Sequence, residues 1–120
     1  MSGELALLQA AEQALVTNWQ IAPNRSSPYD LNRQILLEAL SDRILYLLRH
    51  RPEKLLSALY ILDIGEAAYL QAMEQDTIED RAWALALAVY DRETEKIRIR
   101  AKYASEYPEG WLEGPSESDE

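Results

Sequence analysis

Residues 94 to 103 read TEKIRIRAKY. Ile97 and Ile99 alternate with Lys96, Arg98, Arg100 and Lys102, the spacing of a half-buried strand and the densest run of positive charge in the chain. As a strand, the segment would expose a row of backbone donors and acceptors that need a ladder partner. No second strand-like stretch stands in the 120 residues to supply one. As a helix, it continues the faces of "AWALALAVY" before it: Ile97 joins Trp83, Leu87, Tyr90 and Ala101, while Ile78, Leu85 and Val89 make a neighbouring stripe. Helix is the expectation, and with it an all-α fold. Ile99 then falls near the opposite side, exposed or marking a contact.

Outward from this segment the helical pattern persists. A last helix opening at Thr77, whose hydroxyl is placed to cap with Asp80 three residues on, runs to about Tyr103. At about 27 residues it is roughly 40 Å long, so its final turns are expected to project beyond a compact core. Upstream, "EAAYLQAMEQ" makes a short helix after the break at "DIGE", and "PEKLLSALYIL" another, with Leu55, Leu56, Leu59, Tyr60 and Leu62 available for burial. Pro52 both stops the preceding helix and starts this one. "LNRQILLEALSDRILYLLRHR", with Asp30 as its expected N-cap, carries leucines and isoleucines around most of its circumference, the pattern of a helix surrounded by others. "QIAPNRSSPYD" is a loop, and a first helix is expected from about Ser2 to Asn18, with Leu5, Leu8, Leu15 and Trp19 near one another. The sum is a small bundle of four or five helices over residues 1–103. A disordered, acidic C-terminal tail over 104–120 follows.

The net charge of -9 is unevenly distributed. Residues 91–103 carry +2 and residues 104–120 carry -6, so the body before the tail holds only -3. Its repulsion of polyanions is therefore weaker than the total suggests. Cys is absent, which removes disulfides, thiolate metal sites and thiol catalysis and suits a reducing cytoplasm. The N-terminus lacks a basic stretch ahead of its apolar residues, and "AWALALAVY" is about half the roughly 18 residues of a membrane span. Neither secretion nor membrane insertion is expected.

"LYILDIGE" (59–66) and "RETEKIRIRAKY" (92–103) together resemble paired segments of a family of short, uncharacterised bacterial proteins. Tyr60, Asp63 and Glu66 match the first segment, and Arg92, Lys96, Ile97, Arg100, Lys102 and Tyr103 match the second. Ile61 stands where the family usually has a basic residue, and Ile99 where it has a polar one. The family has no assigned activity, so the resemblance implies an all-helical fold and adds no chemistry.

Motifs for catalysis are sparse. His50, the single histidine, ends the central helix beside Arg49 and Arg51, where an imidazolium complements the helix dipole. Glu74, Asp76, Glu79 and Asp80 cluster without the alternation, turn glycine and distal Glu of a calcium loop. Glu38 and Asp42, four apart, repel one another, with Arg43 close enough to offset this. Phosphate-binding loops, zinc-protease motifs and nucleophile elbows are missing. No enzyme, cofactor or metal is expected, and a carboxylate-based enzyme is the weakest alternative.

What the sequence favours is a non-catalytic, cytoplasmic interaction, scaffold or regulatory protein. Its partner is a protein or a second copy of itself, as a homodimer. Candidate contacts are Ile99 and Tyr103 on the projecting turns, and Tyr107, Trp111 and Leu112, large apolar groups in an otherwise solvated tail. That tail has two expected uses: an anchor for a partner, or a strap folded onto the chain's own domain. The alternative function is a nucleic-acid-associated regulator using the basic stripe Arg92, Lys96 and Arg100. The stripe lacks interleaved aromatics, and opposite-charge pairs such as Glu95 with Arg98 and Glu93 with Lys96 explain it as helix stabilisation.

Overall fold

A computed structural model describes residues 2–24, 27 and 30–106. Among the described residues there are five helices: α1 (Ser2–Trp19), α2 (Arg33–His50), α3 (Pro52–Leu62), α4 (Glu66–Met73) and α5 (Ile78–Glu106). No strand occurs among the described residues, and TEKIRIRAKY is helical throughout. The helix continues three residues past Tyr103. Residues 107–120, which include Tyr107, Trp111 and Leu112, lie outside the described residues.

α5 packs against each of the other four helices, most extensively against α2. The reason is compositional. Ala82 and Ala86, with no exposed surface, let neighbouring backbones approach, and Leu85 and Val89 fill the space between them. From α2 come Leu36, Leu37, Leu40 and Ile44, from α1 Leu15 and from α3 Leu55, all fully buried. Each such side chain contributes about 1.5–3 kcal/mol on removal from water. The radius of gyration is 16.3 Å, against about 13–14 Å for a compact domain of this length. α5 contributes to the difference: residues 98–104, about two turns of it, are all exposed and run past the core.

Local chemistry sets the joints, and at one of them the outcome departs from expectation. The N-cap of α2 is Asn32 rather than Asp30: its Oδ1 accepts from the Ile35 N–H at 2.9 Å, and its Nδ2 donates to the Asp30 carbonyl at 3.2 Å. Leu31 is buried ahead of the helix instead of opening it. In α3, Leu55, Leu59 and Leu62 are buried but Leu56 and Tyr60 are exposed, because the short helix rests on its neighbours by one face. On α1, Leu15 and Trp19 are buried whereas Leu5 is exposed at the free end. Elsewhere expectation and structure agree. Arg51 alone separates α2 from α3, its N–H closing on the Leu47 carbonyl at 2.8 Å while Pro52 opens the next helix. Thr77 caps α5, its Oγ1 accepting from the Asp80 N–H at 3.0 Å.

α3 ends in a Schellman motif. Ile64 N–H donates to the Leu59 carbonyl and Asp63 N–H to that of Tyr60, both at 3.0 Å. This requires Asp63 to adopt φ 67°, a left-handed conformation that glycine takes without penalty. Asp63→Gly should therefore stabilise the fold, by about 0.5–1 kcal/mol. The long, exposed contact of Asp63 with Arg92, 3.8 Å, offsets little of this. A right-shifted urea midpoint checks it, and an unchanged or left-shifted one counts against the reading of this joint.

Candidate interaction surface

Leu85, Val89 and Glu93 follow one another at steps of four on α5, and all three are buried. Glu93, 3% exposed, thus puts a carboxylate on an otherwise apolar stripe where the C-terminal end of α1 passes. Burying such a group costs several kcal/mol unless donors meet it. Two do. Trp19 Nε1 donates to Glu93 Oε2 at 3.1 Å and Asn18 Nδ2 to the same oxygen at 3.2 Å. Glu93 therefore turns inward to α1 and not along the surface to Lys96. The same end of α1 is tied to α2 by Arg43, whose Nε donates to the Trp19 carbonyl at 3.1 Å and whose Nη2 donates to Gln20 Oε1 at 3.0 Å. That use of Arg43 replaces its expected role beside Glu38 and Asp42.

A cleft of about 590 Å³ lies between the antiparallel α1 and α5. Its walls are small and apolar, with Ala10, Ala14, Ile97, Ala101 and Ala104, and Lys96 and Arg100 also line it. At Thr17, Asn18, Glu93 and Lys96 it continues into a second cleft of about 370 Å³ that ends at Ala58, Ile61 and Leu62 of α3. The two make one trough from the projecting end of α5 to the end of α3. Another cleft, about 830 Å³, opens between the starts of α1 and α2 and the Tyr90 and Arg98 side of α5. Burial pushes the Tyr90 hydroxyl above its ordinary pKa, partly opposed by Arg33, whose guanidinium sits 5.3 Å from the ring centre, and by Arg98.

The basic stripe does not act as one. Arg92 Nε donates to the Leu62 carbonyl at 3.1 Å, tying down the end of α3, and its Nη1 pairs with Glu95 at 3.1 Å. Glu95 thus serves Arg92 rather than Arg98. Lys96 and Arg100 line the trough. Ile99 and Tyr103, one turn apart, are 44% and 45% exposed and line none of these clefts.

His50 lies with its ring centre 4.7 Å from that of Tyr46 at the exposed end of α2. Of the acidic cluster, Glu79 pairs with Arg49 at 3.0 Å. Among the described residues no three His, Cys, Asp or Glu side chains group as a metal site would need.

Two features escaped the sequence reading. The sequence signal for Glu93 is that it continues the Leu85–Val89 stripe one turn further. The other is the end of α3, where Tyr60 is 85% and Ile61 81% exposed, with Leu56 one turn before Tyr60 also open. Its signal was Ile61 itself, an apolar residue beside Tyr60 and off the Leu55, Leu59 and Leu62 face. No helix among the described residues is long and apolar enough to cross a membrane. No family model, curated protein or solved structure matches the chain.

Proposed function

We propose that the protein is a non-catalytic, cytoplasmic interaction protein that binds an apolar patch of a partner protein through the end of α3. The observation that carries this reading is the near-complete exposure of two adjacent large side chains, Tyr60 and Ile61. Leaving an isoleucine in water forgoes about 1.5–3 kcal/mol of burial, and a tyrosine flanked by aliphatic groups is a frequent anchor of protein interfaces. Ile99 and Tyr103 extend the reading to the projecting turns of α5. A place among short bacterial helical proteins belongs to the same proposal, as does a homodimer as one form of the partnership. The engagement of Arg92 at the end of α3 supports a protein partner over nucleic acid, since it withdraws one of three cations from the stripe. Glu93, held by two donors, supports a structural carboxylate rather than a catalytic one.

The test is photo-crosslinking in the producing cells, with p-benzoylphenylalanine in place of Tyr60 in the full chain. The expected result is a discrete protein adduct whose yield collapses on Ile61→Asp, while thermal stability stays nearly unchanged because position 61 is exposed. An adduct of twice the 13.7 kDa chain identifies the partner as a second copy. Failure to find a discrete adduct, or one removed by nuclease, overturns the proposal.

A further inference from the structure

The α1–α5 cleft pairs two kinds of surface. Ala10, Ala14, Ala101 and Ala104 form a shallow apolar slot, and beside it stand Lys96 and Arg100. Neither cation has a hydrogen-bond or ion-pair partner among the described residues. An occupant suited to it carries a flat apolar group followed closely by acids.

Such a segment begins where α5 stops. Fourteen residues follow Glu106, YPEGWLEGPSESDE, with Trp111 and Leu112 adjacent and Glu113, Glu117, Asp119 and Glu120 beyond them. Pro108 and Gly110 occupy the second and fourth places of a four-residue stretch, Tyr107 to Gly110, the positions a type I turn favours for them. A reversal there would direct Trp111 back along α5. In extended form each tail residue covers about 3.3 Å, against about 1.5 Å per residue of helix. On that path Trp111 would fall on Ala101 and Ala104, Glu113 would come within reach of Arg100, and Lys96 would lie between Glu113 and Glu117. We infer that residues 107–120 dock in the α1–α5 cleft of their own chain, with the Trp111 indole on the alanine slot and the acids against Lys96 and Arg100.

Nuclear magnetic resonance of the full chain, with labelled alanine methyl groups, tests the inference. Cross-relaxation from the Trp111 indole to the Ala14 and Ala101 methyl groups is expected within one chain. Trp111→Ser should shift those methyl signals and leave those of the buried Ala82 and Ala86 in place. The double variant Lys96→Glu/Arg100→Glu should lose the cross-peaks while retaining its circular dichroism, and high salt should weaken them in the parent chain. A Trp111 indole whose shifts equal those of the free 107–120 peptide overturns the inference. So do cross-peaks found only between differently labelled chains, which would make a second copy the occupant.

Discussion

Glu93→Ala should cost the folded chain about 3 kcal/mol, a substantial part of the roughly 5–15 kcal/mol that holds a domain together. The carboxylate is 3% exposed and receives N–H donors from Trp19 and Asn18 on one oxygen. Truncation leaves the Trp19 indole N–H, on a side chain only 4% exposed, without an acceptor and opens a void beside it. An orphaned buried donor accounts for about 1–3 kcal/mol of this and the void for the remainder. Glu93→Gln keeps an acceptor oxygen and should cost about 1 kcal/mol through loss of charge assistance. The decisive comparison is Glu93→Leu with and without Trp19→Phe, since removing both partners of a buried hydrogen bond is far cheaper than removing one. Urea unfolding followed by circular dichroism reads all four. If Glu93→Ala costs under 0.5 kcal/mol, on the order of an ordinary surface substitution, the inward orientation of Glu93 is wrong.

Leu85→Ala is the second large effect, at about 2–5 kcal/mol and a fall in melting temperature on the order of 10 °C. Leu85 has no exposed surface and sits on α5, the helix that every other helix touches. On α2, the helix that packs most extensively on α5, Leu40 and Ile44 are equally buried, so a cavity in this core has little freedom to collapse. Leu56→Ala removes the same atoms from a side chain that is 49% exposed and should cost well under half as much. Similar losses at the two positions would mean that α3 and α5 do not present the faces described.

The difference between these leucines was beyond local sequence reading. An eleven-residue helix with apolar groups on more than one side does not say which side meets the bundle, and for α3 that depends on where α5 lies. Pro52 and Thr77 were legible because the chemistry of starting a helix acts within three residues of its source. Asp30 and Asn32 are both good caps, and the choice between them was made by the burial of Leu31, a tertiary fact. Glu93 shows the same limit more sharply. Spacing along the helix pointed to Lys96, whereas its partners stand 74 and 75 residues away on α1. Of the candidate surface, Lys96 and Arg100 were read from the stripe, while the withdrawal of Arg92 followed from the carbonyl left open at the end of α3.

α5 is also the last of the five helices to be synthesised. Until residues 78–106 leave the ribosome, α1 to α4 have no common wall, and the apolar stripes of α2 and α3 stay open to other nascent chains. Folding is thereby tied to the synthesis of residues 78–106. A stall or cleavage before Ile78 yields a sticky remnant for chaperones and proteases to clear, in place of a smaller working domain.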